Sequence, residues 1–272
     1  MPEAMEMETE KIYTSSDRKN KILAWICIAL CFLIYYSIMS IIAPGKKYRE
    51  LKSEYGFRQN EKNQVDERIF TDSTYLSILK EKSFLQSRVT LAESDSIYLT
   101  VNLHDSIVNL EINGVSVHKA DIKKTNISKM LKGEKDYVIL LMLSVPLTVN
   151  RNFASIEKEP LMIKLAPKDT SEYEPDIIPD TADYEPVNFI LETDNETILC
   201  VYQAEKIRAG DGIRLFIFDV KHRVRYAAAD FARIITFRVP VYRPFIKLRI
   251  PRSDAKIIYR ALPVQGQIAV YS

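Results

Sequence analysis

Chemistry near neutral pH usually runs on a histidine, a thiolate or a pair of carboxylates, and this chain is sparing with the first two. Its histidines are His104, His118 and His222, and no two of them share a helical or metal-ligand spacing. The surrounding residues make His104 a hairpin residue, His118 an exposed strand position and His222 part of a solvent-facing basic turn. Its cysteines are Cys27, Cys31 and Cys200, with no Cys-x-x-Cys pair. Cys27 and Cys31 fall in an apolar run and Cys200 stands alone in the remainder, so no intrachain disulfide is expected there. With a base beside it Cys200 would be a nucleophile. It lies in TILCVYQA, an apolar strand pattern, and a buried inert thiol is the simpler reading. No Gly-x-Ser-x-Gly occurs, and seven glycines leave little for a phosphate-cradling loop. No metal, cofactor or catalytic set is expected.

Carboxylates gather in one place. KDTSEYEPDIIPDTADYEP, residues 168–186, has seven acidic residues, one lysine and three prolines. Proline removes backbone donors, so this stretch suits a loop (168–187) rather than a helix or central strand. Tyr-Glu-Pro occurs twice, which makes Tyr173, Glu174, Tyr184 and Glu185 the candidate interaction residues. The loop is either a solvated surface or a docking element for a basic partner. Between 206 and 252 the bias reverses, with twelve Lys or Arg against three Asp. KHRVR and RPFIKLR read as strands with one apolar and one wet face. No nucleic-acid partner is expected, since that requires a basic face with aromatic platforms.

These residues need elements to position them. Residues 22–43 form an uncharged run of 22, enough to cross a hydrocarbon core of about 30 Å as a helix. Its length, the acidic leader before it and Pro44 behind Ala43 argue against a cleaved signal peptide. Pro44 and Gly45 should end the helix. Lys and Arg flank both ends, so the positive-inside rule nearly balances. A short cytoplasmic tail (1–21), with the larger part in the periplasm, is the favoured topology.

A polar stalk follows over 44–95, with an amphipathic helix at about 73–92, either self-associating or packed on its own domain. From 96 to 272 the pattern predicts a mainly β (α+β) domain. IYLTVNL, IVNLEI and VSVHKADI alternate as an antiparallel meander, and Asn113-Gly114 is a type I′ hairpin signal. A short helix is expected at about 126–132. Strands are expected at 137–149, 161–166, 188–193, 197–204 and 213–220, with an extended run over IITFRVPVY. A helix at about 254–261, capped by Ser253-Asp254-Ala255, precedes a last strand.

LRIPRSDAKIIYRALPVQGQIAVY, from Leu248, resembles the tail of L,D-transpeptidase (YkuD-like) domains, with its Asp-Ala, short helix and Val-Pro-x-Gly-like turn. The hairpins of 97–122 resemble that family's opening strands, and the middle is unmatched. The resemblance implies a Ser-His-Gly-Cys-Ile-Arg-Leu motif over Pro244–Ile250. There the histidine position is Phe245 and the nucleophile position is Lys247, and Arg249 alone is kept. A thiolate and base cannot be built from these residues, so the resemblance implies a degenerate, non-catalytic relative.

The expected function is therefore that of a single-pass inner-membrane protein with a periplasmic domain. It would be a structural or scaffold component of a cell-envelope complex, such as a type VI-like secretion assembly. It would bind partner subunits or peptidoglycan and associate as a homo- or hetero-oligomer. The alternative is a membrane-anchored L,D-transpeptidase-like enzyme using Cys200.

Overall fold

The computed structural model describes residues 2–55, 73–132, 137–158, 185–206 and 210–271. The chain is α+β, with a mixed nine-stranded sheet and a long apolar N-terminal helix. It divides into two compact units, residues 1–49 with 225–242, and residues 50–224 with 243–272.

Helix α1 runs Pro2–Tyr55. The expected stop at Pro44-Gly45 is overturned, since the helix continues through both. A proline forfeits one hydrogen bond to the preceding turn, and strong helix formers on both sides carry the chain across that gap. Among the described residues one helix is long and apolar enough to cross a membrane, over Leu23–Tyr55. Helix α2 spans Ser73–Ala92, within the predicted bounds. Its inner side packs Leu91 and Phe84 against Tyr98 and Ala269 of the sheet, and Leu76 and Leu79 against Leu140.

The meander is present as β1 (Tyr98–Asn102), β2 (Ile107–Ile112) and β3 (Val115–Asp121). Its turn has φ of 48° at Asn113 and 80° at Gly114, the left-handed pair that a type I′ turn demands. Then the expectation fails. Residues 124–127 are not helical but form β4 (Lys124–Ile127). The run after 137 is not a strand pair. It is helix α3 (Tyr137–Ser144) followed by β5 (Leu147–Ala154). YVILLMLS is apolar on every side, so periodicity cannot separate a buried helix from a strand. The predicted strand at 161–166 lies outside the described residues.

Strands β6 (Asn188–Thr193) and β7 (Ile198–Gln203) form the expected hairpin, and β8 (Phe245–Ile250) runs parallel to β7. Parallel neighbours need a crossover, and helix α4 (Asp211–Ile235) supplies it. The strand predicted at 213–220 and the extended start of IITFRVPVY are thus overturned. Helix α5 (Arg252–Ala261) and β9 (Gln267–Tyr271) complete the chain. The N-cap of α5 is Pro251, not the predicted Ser253 group. The Glu205 carboxylate takes the Arg252 backbone N–H at 2.9 and 3.0 Å instead.

The strand order is β3-β2-β1-β9-β5-β6-β7-β8-β4. Its two ends, β3 and β4, are consecutive in the chain and joined by Ile122 and Lys123. The Ile122 N–H donates to Ser106 beside β2, and the Lys123 N–H donates to Arg249 of β8. One bent strand therefore supplies both ends of the sheet. A second bend lies in β5, which pairs with β9 through Leu147 and Thr148 and with β6 beyond a bulge at Val149–Arg151. Among the described residues β3 is paired only on its β2 side and β4 only on its β8 side. The interior holds Leu99, Val101, Phe189, Leu191, Ile246, Leu248 and Ile250, all nearly inaccessible.

Candidate functional site

Side chains alternate along a strand, so Phe245, Lys247 and Arg249 share one face of β8 while Ile246, Leu248 and Ile250 enter the core. The parallel register with β7 sets Cys200 beside Lys247 and Tyr202 beside Arg249. The nucleophile and histidine positions implied by the family resemblance thus carry a cation–π pair, with the Lys247 ammonium 4.9 Å from the Phe245 ring centre. Cys200 is buried, and burial pushes its thiol up to about 11. The nearby Lys247 and a hydrogen bond with Tyr202 pull the other way but do not prevail, and Asp219 adds to the rise. Near neutral pH the thiol is held in its neutral form, which suits packing better than attack.

His222 does not sit in a solvent-facing turn. It lies on α4, is buried, and stacks on Phe153 at 5.0 Å between ring centres. The register carries Phe153 to Ile190 and Ile190 to Cys200 across one sheet face. The inner side of α4, with Leu215 and His222, is therefore the roof of that face. His118 reaches Asp254 of α5 at 3.2 Å, tying β3 to that helix, and His104 lies near Tyr271 at the β1–β2 turn. Among the described residues no group of three or more His, Cys, Asp or Glu could hold a metal ion.

Of the acidic-loop candidates, Tyr173, Glu174 and Tyr184 lie outside the described residues. Glu185 is held within the chain. Lys256 of α5 approaches its carboxylate at 3.0 Å and Arg260 at 3.7 Å. The hydrogen bond from Lys256, with help from Arg260 and Arg214, holds the Glu185 carboxyl below the ordinary value against a smaller effect of burial. At this residue the acidic loop meets the chain's own basic C-terminal helix.

Sequence reasoning missed Glu111. It lies in β2 at a register shift and is completely buried. Arg88 of α2 grips it through two contacts of 3.0 and 3.1 Å, and the Thr100 hydroxyl donates at 2.9 Å. A buried carboxylate so satisfied fixes α2 on the sheet. No sequence signal marks it, because Glu111 shares the polar phase of IVNLEI with Asn109.

The largest feature missed is the outer side of α4. Ile213, Phe216, Ile217, Val220 and Val224 are exposed, and Phe231 and Ile235 continue the row. At 3.6 residues per turn these seven fall in an arc of about 100°. The helix thus has two apolar sides, a narrow one on the sheet and a wide one facing out. In the first unit, Phe231 meets Phe32 of α1 edge-on at 5.6 Å, and Phe237 meets Tyr35 at 5.9 Å.

No family model, curated protein or solved structure matches this chain.

Proposed function

We propose that this protein is a single-pass, membrane-anchored component of a bacterial cell-envelope assembly. Its sheet domain would lie in the periplasm and act by binding rather than by catalysis. The observation that carries the reading is α1. Its apolar stretch leaves large side chains such as Trp25, Leu33 and Ile41 more than half exposed to the surroundings, where a core helix would bury them. The helix runs on without a break past Pro44 into the polar residues beyond, as an uncleaved anchor would.

The character of the Cys200 face supports a binding role. Its thiol is buried and held in the neutral form, and Lys247 and Phe245 occupy the positions that the family resemblance would assign to the nucleophile and histidine. Partner subunits or peptidoglycan would be met through the exposed side chains of the domain, or along β3 and β4, which among the described residues are each paired on one side only.

Crosslinking in intact membranes followed by mass spectrometry tests the scaffold role. Stable envelope partners or self-oligomers are expected, and a lone monomer would overturn it. Alkaline carbonate extraction with an N-terminal tag tests the anchor. The tagged full-length chain should stay in the membrane pellet, and release of a shortened chain would show a signal sequence instead. Protease accessibility in spheroplasts reads topology, with the C-terminal domain expected outside the cytoplasm.

A further inference from the structure

We infer that the outer side of α2 is a self-association surface, on which two copies of this chain pair their α2 helices antiparallel about a twofold axis. The inference rests on the self-association proposed above and gives it a location.

Helix α2 carries two apolar stripes on opposite sides. Leu76, Phe84 and Leu91 face the sheet and α3, and the Ser87 hydroxyl on the same side donates to the Ser144 carbonyl. At 100° per residue, Tyr75, Ile78, Leu85 and Val89 lie in an arc of about 80° directly opposite. All four are exposed, Ile78 and Val89 at 61%. Lys82, also exposed, completes the row. The whole row lies within the unit that bears the sheet.

The spacing points to another helix as the occupant. From Tyr75 the row advances by three, four, three and four residues, the a and d positions of two heptads. That alternation keeps one stripe facing a second helix along its length. Two heptads are short for a free coiled coil. Here α2 is already ordered by its packing on the sheet, so association need not order it as well.

The charges point to a second copy and to one register. When Ile78 faces Val89 of the second copy, Tyr75 meets Ala92, and Lys82 meets Leu85, over which its aliphatic stem can lie. Glu81 then flanks the second copy's Arg88, and symmetry makes this contact twice. Arg88 holds Glu111 through Nε and Nη2 and keeps one-third of its side chain exposed. A slip of one heptad would set Glu81 against Glu81 or Arg88 against Arg88. A parallel pairing would set Lys82 against Lys82 in the middle of the seam. The helix is thus complementary to itself in a single arrangement. On the other edge of the row stands the neutral Gln86, and Glu93 lies past the helix end.

The test uses the full chain in intact membranes, with Cys27→Ala and Cys31→Ala removing the two exposed thiols. Positions 78 and 89 are about 16 Å apart along one helix, too far for an intrachain disulfide, but face each other between copies. Ile78→Cys combined with Val89→Cys should give a disulfide-linked dimer on copper–phenanthroline oxidation, and neither cysteine alone should do so. In detergent micelles Ile78→Glu should weaken the dimer about tenfold or more in analytical ultracentrifugation, with an unchanged denaturation midpoint. A dimer from either cysteine alone would mean a parallel pairing and overturn the inference. No link in the double variant, with self-oligomers still recovered from the unaltered chain, would overturn the α2 surface and leave self-association standing. A lone monomer throughout would overturn both. A disulfide from position 78 or 89 to a different protein would assign the row to a partner subunit and overturn the inference. A lowered midpoint for Ile78→Glu would mean that Ile78 is packed within its own fold, and would overturn it too.

Discussion

Helices α4 and α5 have similar ingredients and opposite arrangements. Both mix Ile and aromatic residues with Arg and Lys at helical spacing. Helix α5 turns Ala255, Ile258 and Tyr259 into the sheet, and its charges find partners within the fold. Lys256 and Arg260 take Glu185, and Asp254 takes His118. Helix α4 gives the sheet only a narrow side and leaves the wider apolar stripe outside. In α5 amphipathicity is used up by folding. In α4 it exceeds what folding uses, and that excess is the part available for a function.

The contrast predicts where substitutions register. The largest loss should come from the body that both helices roof. Arg88→Ala leaves the buried Glu111 carboxylate without its partner and should cost about 3–5 kcal/mol in chemical denaturation. Next, Ile258→Ala on the inner side of α5 should cost about 2–4 kcal/mol through the cavity it leaves. A similar cost for Phe216→Ala on α4 would erase the comparison, because its exposed ring should register within about 0.5 kcal/mol. Phe237→Gly should act in the opposite direction. It relieves the left-handed strain at a ring that is 82% exposed and loses only the edge contact with Tyr35, and should raise stability by up to about 1 kcal/mol.

The smallest effect is an acid titration. The Glu185 carboxyl is depressed in the folded state, chiefly by its bond from Lys256. Its stabilising contribution is complete above the ordinary value of 4.5 and drains away as pH falls through the lower folded value. The pair is partly exposed, so the change should be below about 1 kcal/mol. Glu185→Gln should remove it from the acid limb of the stability curve, and an unchanged limb would mean the ion pair contributes nothing.

Sequence pattern exposed those parts of the fold whose period was completed locally. The β1–β3 meander announced itself by alternation and by Asn113-Gly114, which alone tolerates the turn's positive φ values. Helix α2 was visible because an apolar stripe ran its full length. Helix α4 was hidden because IRLFIFDV alternates well enough for a strand. Its helical period emerges only when Val224, Phe231 and Ile235 are added to the same row. What forces the helix is the parallel pairing of β7 with β8, a non-local fact. Strand β4 was hidden because KTNI is polar and becomes a strand by pairing with β8. The candidate site divides the same way. The chemical poverty of Phe245 and Lys247 could be read from the residues, whereas the exposed stripe required knowing which side of α4 the sheet had taken.

The position of β9 has a consequence for how the molecule is made. It lies between β1 and β5, so Leu99 must find Ile268 before the sheet is complete. The apolar strands between them are synthesised first and must wait, unpaired along that seam, until the later residues arrive. The body would therefore assemble late, and the waiting strands would have to be shielded from one another until β9 is made.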